Sequence, residues 1–416
     1  MIQYVLKNHE KSKLIVAALW IVYAASYFIR TCYAASIVSI SEEGIFNKGE
    51  IGLIGTAFFI CYGVGQLISG LIGDKINPFI MIICGSMAGA VSCFAMAFAN
   101  RLVLMLLIWA ANGFFQSMLW SPILRVFSET IEKGLRKKAV LNIALSLPIG
   151  TICAYLVSTV IIKYLNWKYV FVCGGVLSFA ASSLVICTTV YTKKYIVKTK
   201  IQTPVVNSKF DNKHSKSGFL SLAMLSGLFI IMIPSFLHGM MRDGITNWVP
   251  TMIGETYGTS PSFSVFLTML LPIFNAFGAY AVTPLYKKLG ENEMKTAGIM
   301  GAVALIPLFV LLLMDKLSVY VIIILLAFTT SIMYALNYII ISLVPVKFSK
   351  YSNTSSVSGV LNSAAHIGGA ISSYGFGAVA EKSGWNSVIM IWIISAFLTF
   401  IFAFLSNRKW KKFIKQ

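Results

Sequence analysis

Acidic side chains are scarce in this chain: 14 Asp and Glu stand against 34 Lys and Arg among 416 residues. Charged residues of both signs make up only 12% of it, about half the share of an ordinary soluble protein. That scarcity excludes a soluble globular fold. Carboxylates within apolar segments are nearly absent apart from Asp243, which disfavours a proton relay built from acids. No glycine-rich phosphate loop is present, so this chain alone does not drive transport with ATP. No catalytic constellation is visible, which argues against an enzyme. The seven cysteines all fall in apolar segments of the first half and lack metal-ligand spacing. They read as small packing residues rather than disulfides or ligands. No metal or cofactor is expected. The apolar runs do not alternate, which excludes a membrane β-barrel.

What is present is hydrophobic length. Apolar residues form 57% of the chain, and mean hydropathy is +0.80. Apolar segments run over 14–39, 51–73, 79–98, 102–126, 139–163, 168–190, 219–253, 262–285, 296–314, 318–344, 354–380 and 387–405. Each is long enough to cross about 30 Å of hydrocarbon as a helix. The expected fold class is therefore an all-α integral membrane protein with twelve transmembrane helices. The basic, then apolar, N-terminus reads as the first span rather than a cleavable signal, because Arg30 lies within it and more spans follow. A lysine-rich polar stretch, 191–218, divides the chain into six-span bundles at 1–190 and 219–416.

The net charge of +20 would suggest nucleic acid in a soluble protein. Here its distribution gives a different meaning. Lys7, Lys11, Lys13, Lys75, Lys133, Arg136, Lys137, Lys138 and the linker lysines lie on one predicted side. So do Lys287, Lys288, Lys295, Lys347, Lys350 and the C-terminal run from Arg408 to Lys415. The opposite loops hold only Lys48, Arg101, Lys163, Lys168, Lys316 and Lys382. Basic loops stay in the cytoplasm. The chain is expected in the cell membrane with both termini cytoplasmic, a lipid bilayer as its surroundings and no nucleic-acid partner.

The two halves echo one another. Arg30 precedes Glu43 by 13 residues, and Arg242 precedes Glu255 by 13. Leu141-Asn142-Ile143-Ala144 resembles Leu361-Asn362-Ser363-Ala364, and Asn166-Trp167 matches Gly384-Trp385. These echoes suggest two parallel repeats with a site between them near the membrane midplane.

Arg30 and Arg242 are the candidate centre of that site. An arginine at the middle of a membrane helix costs roughly 2.5–3.5 kcal/mol on insertion scales. Its planar fork of donors suits phosphate or carboxylate. Tyr23, Tyr27 and Arg30 follow helical spacing on one face. Asp243 adjoins Arg242, but neighbouring side chains diverge by about 100° on a helix, so no direct pair is expected. His366 is read as the one histidine inside an apolar span, which substitutes for lost charge, titrates or hydrogen-bonds in the bundle. Gln66, Gln116, Asn142, Asn275 and Asn337 are neutral polar candidates. Arg125 reads as a gate or loop anchor at the end of span four.

Gly70-Leu71-Ile72-Gly73-Asp74-Lys75 resembles the cytoplasmic loop signature of the major facilitator superfamily, with a degenerate partner at Lys287-Lys288-Leu289-Gly290. Tyr23, Tyr27, Arg30, Tyr62-Gly63, Phe115-Gln116, Trp120-Ser121-Pro122, Arg125 and Arg242-Asp243-Gly244 resemble its organophosphate:phosphate antiporter family. So do Asn247-Trp248, Pro250-Thr251, Gly368-Gly369 and Gly384-Trp385-Asn386. The resemblance implies a major facilitator fold of two six-helix pseudo-repeats. It also implies alternating-access exchange of a small phosphorylated organic anion for inorganic phosphate. By it, Arg30, Arg242, Tyr23, Tyr27, Tyr62, Trp120 and Tyr334 line the substrate site. Gly70, Asp74, Lys75 and Arg125 form the gating motif. Two site positions depart from the glycerol-phosphate and hexose-phosphate carriers: Gln66 replaces a lysine, and His366 replaces a tyrosine. The span-five histidine of those carriers falls near Leu145 or Ser146. A monomer is expected. The alternatives are a non-transporting sugar-phosphate sensor of the same fold and a proton-coupled carboxylate or phosphonate symporter.

Overall fold

The computed structural model describes residues 2–6, 8–72, 76–143, 145–193, 196–200, 219–348 and 354–414. Hydrocarbon offers the backbone no hydrogen-bond partners, so long apolar runs must satisfy themselves as helices. Eleven described helices are long and apolar enough to cross a membrane. The last, Val357–Ile414, is two spans in one: Gly384 breaks it at φ 76°, ψ 172°. The crossings therefore number twelve.

Several segments that read as continuous are interrupted. Span four divides into Leu102–Gln116 and Trp120–Glu129. Span five divides into Lys133–Ile143 and Ser146–Tyr164. Each second piece carries a proline at its third position, Pro122 or Pro148, where a missing N–H costs nothing. Span seven begins as Phe219–Ser226, turns at Gly227 (φ 74°) and continues as Leu228–Tyr257. Span ten runs over Val319–Asn337 and widens to a π-helix at Tyr338–Leu343, just before Pro345. Pro345 cannot donate to the preceding turn, which favours that widening. Outside the helices, Ile2–Leu6 pairs antiparallel with Ile196–Lys200. That ribbon ties the N-terminal segment to the start of the linker. The rest of the linker lies outside the described residues.

The repeat is visible in packing. Gly150 of span five approaches the Ala24 carbonyl of span one, and Gly368 of span eleven approaches the Phe236 carbonyl of span seven. Ala24 and Phe236 each stand six residues before the arginine of their half. The 13-residue spacing has a structural purpose. Glu43 accepts from Trp167 Nε1 at 2.8 Å, and Glu255 accepts from Trp385 Nε1 at 2.8 Å. In both halves, the acid closing the first span is held by the tryptophan opening the sixth.

The halves meet tightly at the end opposite the termini. Lys48 Nζ lies 2.9 Å from Glu255 Oε2, and the Lys48 amide donates to Glu381 at 3.2 Å. Below them, Thr56 donates to the Ala370 carbonyl at 2.7 Å, and Ser373 donates to the Gly52 carbonyl at 3.0 Å. Gly52 and Gly55 lie against Ser373, so a side chain there would force spans two and eleven apart. Lys48 is thus part of a seal between the halves as well as a loop charge.

At the other end, Arg125 anchors the loop after span two. Its Nη1 donates to the Ile76 carbonyl and its Nε to Glu129, both at 3.0 Å. Gly70 lies in the helix Lys48–Ile72, whereas Asp74 and Lys75 lie outside the described residues. In the second half the loop lysines, Lys287 and Lys288, are not the centre of the corresponding cluster. Fully buried Glu293 is. It accepts from Tyr286 at 2.7 Å and Trp410 at 2.9 Å, with Lys347 at 3.4 Å.

Two outcomes follow. Lys48→Gln should weaken the seal. Spin labels at Ile45→Cys and Lys382→Cys, with the seven native cysteines replaced, should then report a larger long-distance population. An unchanged distribution would show that backbone contacts alone hold this end shut. Gly384→Ala should lower stability by about 1 kcal/mol or more through its left-handed backbone, read as a lower Tm in detergent.

Candidate functional site

Between the halves lies a cavity of about 1360 Å³. Its walls come from spans one, two, four, five, seven, ten and eleven. Ser121, Leu124, Ile143, Pro345 and Ser358 line its end toward the termini. It is closed at the other end by the Lys48 and Ser373 contacts.

Arg30 projects into this space from span one. Its Nε donates to Gln116 Oε1 at 3.1 Å, and Gln116 donates to Asn112 at 2.9 Å. The guanidinium lies 4.1 Å from the Tyr62 ring centre, 4.9 Å from Tyr27 and 5.6 Å from Phe58. Aromatic faces stabilise a desolvated cation without neutralising it. Tyr23 sits one turn earlier, edge-on to Tyr27 and stacked on Trp120 at 5.2 Å.

Arg242 occupies the matching place in span seven, with different partners. Its Nε and Nη2 donate to the two oxygens of Asp243, at 2.7 and 2.8 Å. Nη1 donates to Asn337 at 2.8 Å, and the Tyr334 ring lies 5.8 Å away. The expectation that Arg242 and Asp243 do not pair is therefore wrong. Their stems leave the helix in different directions, but the arginine side chain is long enough to fold its fork back. Both side chains are nearly buried, 13% and 14% exposed. In that setting an unpaired charge is far less favourable than a bent stem.

Asn337 is held from its far side by His238, whose Nε2 lies 3.3 Å from the same oxygen. Fully buried His238 is a second intramembrane histidine, which the sequence reading passed over. Its signal was available, because it stands one turn before Arg242. His366 is 8% exposed, lies 4.9 Å from the Tyr62 ring, and has an unpartnered Nδ1. Gln66 bridges the halves: its Oε1 accepts from Asn362 at 2.8 Å, and its Nε2 donates to Tyr62 at 3.2 Å.

Tyr23, Tyr27, Arg30, Tyr62, Gln66, Trp120, Arg242, Tyr334 and His366 all line this one cavity. Asn337 lines it too, and Gln116 reaches it through Arg30. Asn142 and Asn275 do not line it. Asn142 instead offers its carbonyl to Trp20 at 3.1 Å. Asn362 and Asn247, noted in the sequence only as motif positions, and Thr31 also add neutral polar groups to the walls. Arg125 is apart from the cavity and acts on the loop.

The profile described as Major Facilitator Superfamily matches residues 19–373. The glycerol-3-phosphate transporter of Bacillus subtilis is 26% identical over 266 residues, 59% of this chain and 58% of that protein. The probable hexose phosphate transport protein of Chlamydia trachomatis is 21% identical, covering 91% of this chain and 87% of that protein. The membrane sensor protein UhpC of Salmonella typhimurium is 35% identical over 102 residues, 24% of this chain and 23% of the sensor. The chain thus spans from about a quarter to somewhat over half the length of some of these curated relatives. Among solved structures, a bacterial homolog of the human lysosomal transporter Spinster, inward-facing and unoccupied, superposes with a TM-score of 0.75. It covers 98% of both chains at 14% identity, a likeness of fold alone. With its sequence matched across most of its length and its fold shared, the chain belongs to the Major Facilitator Superfamily.

Proposed function

We propose that this protein is a secondary carrier of a small phosphorylated organic anion, exchanging it for inorganic phosphate by alternating access. One observation carries the reading. Two arginines, from matching positions of the two repeats, face a single cavity whose end away from the termini is closed by contacts between the halves. A phosphoryl group has several acceptor oxygens and can engage donors from both halves. Binding from both sides is what couples occupancy to a rocking of one half on the other. The relatives named as glycerol-3-phosphate and hexose phosphate transporters support the substrate class.

Positive-inside loops support cytoplasmic termini and a cavity open to the cytoplasm. The carrier acts as a monomer in the cell membrane, since its cavity is complete within one chain. It works without an enzymatic step, metal or cofactor. In this reading Asp74 and Lys75 complete the cytoplasmic gate with Gly70 and Arg125. The proton-coupled alternative is weaker, because among the described residues the one carboxylate lining the cavity is already bound to Arg242.

Arg30→Lys and Arg242→Lys should each reduce counterflow in proteoliposomes by about tenfold or more, because an ammonium cannot reproduce the planar fork. Near-normal exchange by both variants would sink the reading. The resemblance to a sensor is tested by the same assay. A carrier exchanges labelled phosphate for internal ester, whereas a sensor binds the ester with little flux.

A further inference from the structure

Among the described residues, the cavity walls carry three formal charges: Arg30, Arg242 and Asp243. With the imidazoles uncharged, the sum is +1, not the +2 that two central arginines suggest. The two cations are not equivalent. Arg242 has two donors on Asp243 and a third on Asn337. Arg30 has no ion pair among the described residues. Its Nε bonds neutral Gln116, and its plane lies against aromatic rings. Arg30 is thus the cation left unbalanced.

The fold makes room for the carboxylate. A methyl group at Gly369 would lie 2.6 Å from Asp243 Oδ2, so span eleven is bare where the acid sits. One turn earlier on that helix stands His366, more than nine-tenths buried, lining the cavity with an unpartnered Nδ1. A buried polar atom without a partner points to a polar group supplied from elsewhere.

We infer that Asp243 sets the charge class of the substrate: the cavity takes phosphate esters of net charge −1 in preference to dianions. This deepens the phosphate-ester reading above and rests on it. A dianionic monoester brings two negative charges to a site with one uncompensated cation, beside a carboxylate at low dielectric. A phosphodiester brings one. An aminoalkyl phosphate also totals −1, and its ammonium can use the Asp243 lone pairs that Arg242 leaves open.

The test is binding by titration calorimetry to the purified full-length protein at pH 8, where a phosphomonoester is a dianion and an ordinary histidine is neutral. The probes are glycerol phosphate (net −2), its methyl diester (net −1) and aminoethyl phosphate (net −1). At least one singly charged probe should bind the native protein about tenfold tighter than glycerol phosphate. In Asp243→Asn, which keeps the shape and removes the charge, glycerol phosphate should gain about tenfold on both. Glycerol phosphate binding tightest to the native protein overturns the inference. An unchanged order in the variant does the same. If the variant does not fold, the native ranking decides alone. Glycerol phosphate binding first leaves the phosphate-ester reading standing, whereas no binding by any probe removes that reading and the inference with it.

Discussion

The structure is organised around holding two charged guanidinium groups deep between its two helical halves. A cation in such a place must be offset by hydrogen bonds, aromatic faces or a counter-charge. Each half solves this in its own way. The first surrounds Arg30 with Tyr27, Phe58 and Tyr62 and gives it one amide oxygen, from Gln116. The second gives Arg242 a carboxylate and the Asn337 oxygen, with buried His238 behind it. The first solution leaves an attractive site for an anion. The second leaves a closed unit that can hold its place when the cavity is empty.

That difference bears on exchange. Two uncompensated cations would make the empty cavity costly and force every reorientation to carry an anion. With Asp243 bound to Arg242, only one cavity cation lacks a counter-charge among the described residues. The case for exchange then rests on Arg30, and on the way substrate joins the halves across the cavity. Gln66 and Asn362 already make one such contact. The seal at the far end makes others, through Lys48, Thr56 and Ser373. In the proposed carrier, the rocking equilibrium is a balance between those fixed contacts and the ones a bound substrate would supply at the centre.

Much of this was legible in the sequence. The bilayer requires long apolar helices and sorts basic loops, so the twelve crossings could be read from composition along the chain. The arginines stood out because an intramembrane cation is rare without a role. The shared distance to Glu43 and Glu255 was legible as a number, but its purpose was not. The partners, Trp167 and Trp385, come from five spans further along the chain. The helix breaks were hidden because Pro122 and Pro148 sit where a new helix tolerates them. The Arg242–Asp243 pair was hidden for another reason. Helical geometry fixes where Cβ points, not where a flexible stem takes its fork.

A position on a helix wheel is thus a weak guide to pairing when both groups are buried and one has a long stem. Water removes the incentive to pair at a surface, where adjacent Arg and Asp side chains can each be solvated separately. In the bundle interior the alternatives are fewer. Asp243 lies beside Gly369, where a side chain would collide with the carboxylate. The acid therefore has space and a cation within reach. The same reasoning runs in reverse at Arg30. No acid stands near enough to pair among the described residues, so the surrounding rings keep the cation in place without cancelling its charge. In the proposed carrier, an entering anion is drawn first to that uncancelled charge. The paired arginine then acts as a preoriented donor framework rather than as a second full charge.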